Sequence, residues 1–174
     1  MLDAETLSPH RIAIAMVCPQ IAPNVGNIAR LCVATGTELH LVRPLGFVLT
    51  EAKLRRSAMD YWPRLRLTVH DDLAAFEAAL AGRRLWACEN GAATSIWQAG
   101  FADGDVLVFG SESAGLPRAF LDRHAARLVG IPQAAGERCL NVSTAAGVVL
   151  FEALRAISSS PAATPAAASR PPAP

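Results

Sequence analysis

Short, almost uninterrupted apolar runs alternate along this chain with stretches whose apolar residues recur every three or four positions. The runs cover 12–17, 39–42, 65–69, 85–88, 106–109 and 128–131, and each is bounded by glycine, proline or charged residues. They predict buried strands, because both faces of such a segment are apolar. The helical spacing predicts helices over 25–35, 51–58, 73–80, 118–123 and 142–157. Strands that alternate with helices in this way predict an α/β fold with a mainly parallel sheet and helices on both faces. Ligands in such sheets bind beyond the carboxyl ends of the strands.

Three polar, glycine-containing segments follow strands and are therefore expected on one edge. The first is residues 23–36, PNVGNIARLCVATG. Pro23 is read as a turn, Asn24 as a helix cap and Gly36 as a C-cap. Arg30 falls on the second turn of the helix that begins at Val25. Asn24, Asn27 and Arg30 are spaced i, i+3 and i+6. Exposed amides at a helix N-terminus with an arginine close by suit an anion such as an RNA phosphate. The second segment, residues 109–117, is FGSESAGLP. Gly110 permits close approach of a ligand and Gly115 a positive φ, while Glu112 is a lone carboxylate and Pro117 suits the first turn of a helix. The third, residues 131–147, is IPQAAGERCLNVSTAAG. It leads through Asn141 and Ser143 into a helix whose small residues 145–147 allow tight packing. Neither a Rossmann nor a Walker phosphate loop is present.

Composition narrows the reading. The chain has 174 residues, enough for one domain, expected over 1–157. From 158 to 174 it is serine, proline and alanine, and this tail is expected to be disordered. No run approaches a membrane span, and the first ten residues lack the basic start and apolar stretch of a signal peptide, so a cytoplasmic location is expected. Cys18, Cys32, Cys88 and Cys139 are scattered and the four histidines show no ligand spacing, so no metal site is expected. The histidines read as surface or strand-end residues. A net charge of +1 argues against a protein that coats nucleic acid nonspecifically. Six basic residues between Arg43 and Arg66, among them Lys53, Arg55 and Arg56, form a local stripe able to follow an RNA backbone. A plain solvated helix face would look the same.

In this order and at these positions, the three segments resemble the motifs of the SPOUT superfamily of knotted RNA methyltransferases. They come closest to its small tRNA (cytidine/uridine) 2′-O-methyltransferases, which act at the wobble nucleotide. The likeness runs from about residue 11 to 157 and includes residues 44–47, PLGF, and 53–61, KLRRSAMDY. It implies a deep C-terminal trefoil knot, a homodimer and S-adenosylmethionine as methyl donor. It also implies that Cys88, Gly110, Ile131 and Cys139 meet the donor, with Leu116 and Leu140 beside its adenine. Asn24, Arg30, Glu112 and Asn141 match the reactive end, where Arg30 works beside a cofactor held by the partner subunit. The anticodon stem-loop of tRNA is the implied RNA, with Lys53, Arg55 and Arg56 along it. The chain departs from the family at Cys139, where serine is usual; cysteine is the weaker hydrogen-bond donor.

The implied chemistry is in-line transfer of a methyl group to a ribose 2′-hydroxyl, for which alignment is the larger contribution and proton removal the smaller. A guanidinium stays protonated, so a phosphate grip by Arg30 is chemically better than a base role. Glu112 is the alternative proton acceptor, or a group that orients the sulfonium. Two other functions remain open: a methyltransferase of the same fold acting on rRNA or a base nitrogen, and a catalytically weak cofactor-binding RNA module. The short N-terminus, without an appended RNA-binding domain, favours tRNA.

Overall fold

A computed structural model describes residues 6–48 and 63–158. The helix expected over 51–58, with Lys53, Arg55 and Arg56, lies outside the described residues, as does the tail from 159 onward. Seven strands form one parallel sheet: β1 (Ala13–Val17), β2 (Glu38–Val42), β3 (Leu67–His70), β4 (Leu85–Cys88), β5 (Thr94–Ser95), β6 (Val106–Phe109) and β7 (Leu128–Gly130). Their order across the sheet is β3-β2-β1-β6-β4-β7-β5. Among the described residues four helices accompany them: α1 (Ala22–Thr35), α2 (Leu73–Ala79), α3 (Arg118–Arg123) and α4 (Val142–Ser158). Short 3-10 turns lie at Ile96–Gln98 and Ala125–Arg127.

The alternation of side chains along each strand divides the core in two. Ile14, Met16, Leu39, Leu41, Leu107 and Phe109 face α1 and α4, which pack on each other through Ile28, Cys32, Ala146 and Leu150. Ala13, Ala15, Ala87 and Val108 face the other way. Small residues on that side leave room for Phe76 of α2 and Phe120 of α3, both fully buried. Burial of a large apolar side chain stabilises by about 1.5–3 kcal/mol, so each aromatic is a principal anchor for its short helix. Burial also pushes the Cys32 thiol up to about 12 and keeps it neutral.

Several expectations are corrected at this level. Pro23 does not open a turn. It occupies the first turn of α1, where its missing N–H is tolerated. The helix therefore starts three residues earlier than the spacing predicts, and Arg30 lies on its third turn. Gly36 ends α1 in the left-handed conformation, φ 72°, as the sequence suggests. Pro117 is the residue before α3 rather than part of its first turn. Residue 158, assigned to the tail, closes α4. Gly147 is not a close-packing device: a Cβ there would touch only the Leu31 side chain, at 3.9 Å. His40 is no surface residue. It is buried in mid-strand on β2, with Nδ1 3.0 Å from Nε2 of the equally buried His70 at the end of β3.

Candidate functional site

Parallel pairing aligns Met16, Phe109, Cys88 and Val129 side by side near the carboxyl ends of β1, β6, β4 and β7. The loops that leave these four strands therefore rise from one edge, and the three motif segments meet there. Between them is an open cavity of about 590 Å³. Its wall comprises Ile21 and Asn24, residues 88–90, residues 109–115, Val129, Ile131 and Gln133, and residues 139–142 with Ala145 and Val149.

Gly110 holds this wall in shape. A Cβ on Gly110 would lie 2.0 Å from the carbonyl carbon of Gly115, so the loop can fold back on itself only with glycine there. Ser111 and Gly115 exchange backbone hydrogen bonds of 2.9 and 3.1 Å across the turn, and Gly115 takes φ 68°. The loop's own backbone, rather than a ligand, accounts for Gly110. Residues 44–47 brace the site from outside. Gly46 donates to the Pro19 carbonyl at 2.9 Å and comes so near Gln20 that a Cβ would lie 2.7 Å from its Cα.

The tight turn aims Glu112 at the start of α1. Its Oε2 accepts from the Gln20 amide at 2.8 Å, and its Oε1 from the Ile21 amide at 3.2 Å and from Asn24 Nδ2 at 2.9 Å. The N-terminus of α1 is thus already occupied by a carboxylate. It is not a vacant phosphate site, and a negative group is favourable at this end of the helix dipole. Partial burial works against the charged form of Glu112, but the hydrogen bonds from Asn24, Gln20 and Ile21 outweigh it and hold the carboxyl below its usual range. A carboxylate stabilised in this way is a weak base. Its geometry suits a strut joining the first and second motifs better than a proton acceptor.

The chain of hydrogen bonds continues. Asn24, 5% exposed, accepts on Oδ1 from Asn141 Nδ2 at 3.0 Å. Asn141 Oδ1 in turn accepts from the Ser143 amide and hydroxyl at 2.9 and 2.7 Å, capping α4. The ends of the chain fix its direction: a carboxylate can only accept and a helix N-terminus can only donate. Both asparagines are therefore held in one orientation. Asn24 is not the cap of its own helix, because it lies inside the first turn and serves this network instead.

Of the residues singled out from sequence, Asn24, Glu112, Asn141, Cys88, Gly110, Ile131, Cys139 and Leu140 all meet at the cavity. Two do not. Leu116 is buried on the other sheet face beside Val108 and Phe120, so it does not present an apolar surface to the cavity. Arg30 is exposed on α1 outside the cavity wall. Six residues beyond Asn24, it stands about 9 Å further along the helix and some 120° away around it. Glu89, Asn90 and Gln133 line the cavity and were missed by sequence reasoning; Gln133 Nε2 donates to Asn90 Oδ1 at 2.6 Å. The available signal was position, since Glu89 and Asn90 are the first residues past a strand that ends at this edge. Among the described residues, no group of three or more histidine, cysteine or acidic side chains is placed to hold a metal ion. No described helix is long and apolar enough to cross a membrane.

A parallel α/β sheet with a loop-built cavity of mixed polarity on its carboxyl edge is the architecture in which α/β proteins bind ligands. The particular family follows from comparison with known proteins: the chain belongs to the SpoU rRNA methylase family, whose model matches residues 11–151. It is 44% identical over 146 residues to a tRNA (cytidine(34)-2′-O)-methyltransferase of Methylovorus glucosotrophus, spanning 82% of this chain and 93% of that one. A solved structure described as giving structural insights into the 2-OH methylation of C/U34 on tRNA superposes with a TM-score of 0.81 at 43% identity, covering 86% of this chain and 97% of that one. The AdoMet-bound rRNA methyltransferase of Sinorhizobium meliloti superposes with a TM-score of 0.74 at 26% identity, covering 87% and 58%.

Proposed function

We propose that this enzyme transfers a methyl group from S-adenosylmethionine to the ribose 2′-hydroxyl of the wobble nucleotide, position 34, of tRNA in the cytoplasm. The observation that carries this reading is a near full-length likeness to an enzyme named for that position, joined to a network that ties all three motifs at one cavity. The cavity suits the donor. Its volume falls within the roughly 300–1,000 Å³ of small-molecule sites. Ile131, Leu140 and Val142 offer apolar surface for a base, the loop backbones offer amides and carbonyls, and Glu89 and Glu112 provide negative charge. When bound, S-adenosylmethionine supplies a methyl group already activated on a sulfonium.

The chain's own residues have three tasks. The 109–115 and 131–141 loops would hold the donor, with Cys88, Gly110, Ile131, Cys139 and Leu140 placed to meet it. Asn24, Glu112 and Asn141 keep these loops and the starts of α1 and α4 in register, so that the methyl group and acceptor oxygen are aligned. Arg30 grips the phosphate beside the target ribose and stabilises the oxygen as its proton passes to that phosphate or to water.

Arg30 lies outside its own protomer's cavity, which supports its serving the partner's site in a homodimer. Exposed apolar side chains support the same assembly: Phe151 and Val148 on α4 and Ile21 at the start of α1 are 54, 40 and 46% exposed. The trefoil knot of the superfamily, formed by the loops after β6 and β7 with α4, is part of the proposal, as are a single domain over 1–157 and tRNA contacts by Lys53, Arg55 and Arg56. Incubating the protein with a methyl-labelled donor and a mixture of unmodified tRNA and rRNA, then mapping the product by nuclease digestion and mass spectrometry, tests the reading. The expected product is a 2′-O-methyl group at nucleotide 34. Label in rRNA instead, or on a base, would overturn it.

A further inference from the structure

The cavity wall holds two carboxylates, Glu89 and Glu112, and no lysine, arginine or histidine among its described residues. The two acids are used differently. Glu112 accepts from three donors of the protein itself, two of them at the start of α1 and one from Asn24. Glu89 follows β4 directly, and its backbone amide donates to the Val129 carbonyl at 2.9 Å, which extends the pairing of β4 with β7 and fixes its main chain. Among the described residues, its side chain accepts one hydrogen bond, a long one of 3.4 Å from the Leu116 amide to Oε2. Gly115 lies against the carboxylate: a Cβ there would be 3.1 Å from Oε2 and 3.2 Å from Oε1. The carboxylate is thus backed by loop backbone on one side. An ionised carboxylate has about four acceptor positions, so most of the capacity of Glu89 is left for the cavity.

We propose that Glu89 biases the cavity by charge, so that it favours the cationic methyl donor over the neutral product left after transfer. The inference rests on the reading of this cavity as the S-adenosylmethionine site and assigns Glu89 a specificity role within it. Donor and product share adenine, ribose and amino acid, and differ by one methyl group and one positive charge. Contacts to the shared parts hold both equally, and equal binding of the two does not help turnover. A charge whose field is not spent on protein donors distinguishes them and speeds release of the spent molecule. Glu112 is less suited to this task, because its field is already answered by the Gln20 and Ile21 amides and Asn24.

Calorimetry on the full chain with S-adenosylmethionine and with S-adenosylhomocysteine tests the proposal, using wild type and Glu89→Gln. The expected result is a donor affinity lowered roughly tenfold by the substitution, or 1.4 kcal/mol, with product affinity changed less than about twofold. The wild-type preference for the donor should also shrink as salt is raised. Equal losses for both ligands would show that Glu89 touches a shared part, and no change would show that it touches neither; either overturns the proposal. Should wild type bind neither ligand, the cofactor reading itself fails, a result distinct from an unchanged ratio. If the variant does not fold, wild type decides alone. An analogue with a protonated amine in place of the sulfonium must bind more tightly than its uncharged counterpart, and equal binding refutes the charge bias.

Discussion

Strand β6 is flanked by two carboxylates that are both rich in hydrogen bonds and have opposite consequences. At its amino end Asp105, 1% exposed, accepts from Arg84 Nε and Nη2 at 2.7 Å each, from Trp86 Nε1 at 2.8 Å and from the Ala102 amide at 2.8 Å. At its carboxyl end Glu112 accepts from Gln20, Ile21 and Asn24. Both satisfy the rule that a buried or half-buried charge needs donors. Two of the residues that donate to Asp105, Arg84 and Trp86, come from or directly precede the neighbouring strand β4, and Asp105 is sealed. The donors to Glu112 come from the start of α1, and through Asn24 and Asn141 it is connected to the cap of α4 beside an open cavity. Saturation by itself therefore marks no site. What distinguishes the two ends is which elements the network joins and whether space opens beside it.

The largest expected effect lies at neither carboxylate. Arg30→Ala is expected to lower methyl transfer by on the order of 10²–10³-fold, the usual loss for a group that stabilises developing negative charge, while donor affinity is unchanged. Arg30→Lys should be nearly as poor, because lysine lacks the planar fork that grips a phosphate at two points. Single-turnover rates alongside calorimetry check both. A lysine variant as fast as wild type would show that simple charge suffices.

Asp105→Asn is expected to reduce stability by about 2–3 kcal/mol, since it leaves Arg84 and the Trp86 N–H facing a weaker acceptor. Urea unfolding followed by Trp fluorescence reads this directly, and a loss below half a kcal/mol would remove Asp105 from the structural side of the comparison.

The buried His40–His70 pair is a further purely structural network, and its effect is pH-dependent. Burial first, then the neighbouring charge of His70, lowers the His40 pKa to about 4, with Glu38 opposing and Arg83 adding to the shift. His40 Nε2 has no hydrogen-bond partner among the described residues. Between about pH 6.5 and 4 the unfolded chain takes up a proton that the folded chain refuses, so stability is full above this window and falls as pH drops through it. Wild type is expected to lose on the order of 2–3 kcal/mol more than His40→Gln across that window. Parallel stability curves for the two proteins would contradict this.

The smallest effect is expected at Cys139, which lines the cavity and is exposed. Restoring the family's usual serine with Cys139→Ser should change donor affinity by no more than about threefold, as for a surface substitution away from a buried network. A larger gain would mean that a side-chain hydroxyl, not the main chain, makes the contact there.

Periodicity made most of the sheet legible. β4 and β6 begin and end where the apolar runs do, since both are buried on two faces and bounded by polar residues. β5, Thr94–Ser95, was invisible, because two residues carry no period and its pairing with Val129 and Gly130 is a long-range event. The start of α1 was misplaced because proline signals a turn and a first helical position equally well. At the site, motif position located Asn24, Glu112 and Asn141, but not what they do. That Glu112 accepts from Asn24, and that both asparagines share one orientation, depends on contacts across 88 and 117 residues of chain. The core position of the Leu116 side chain was not legible for a related reason: within a polar loop nothing in the sequence tells whether an apolar side chain turns to the cavity or to the core.

One crossed comparison tests the account most directly: turnover and melting temperature of Glu112→Gln beside those of Asp105→Asn, with activity corrected for the folded fraction. Glu112→Gln places an amide donor among donors at the junction of the motifs. It is expected to lower kcat by about 10²-fold, the effect of an ångström-scale misplacement, while its melting temperature falls by only a few degrees. Asp105→Asn should do the reverse, with the larger fall in melting temperature and turnover per folded molecule within about threefold of wild type. If Glu112→Gln turned over normally, or if both variants lost activity only in proportion to stability, the two ends of β6 would be equivalent and the assignment of the carboxyl edge as the active site would be contradicted.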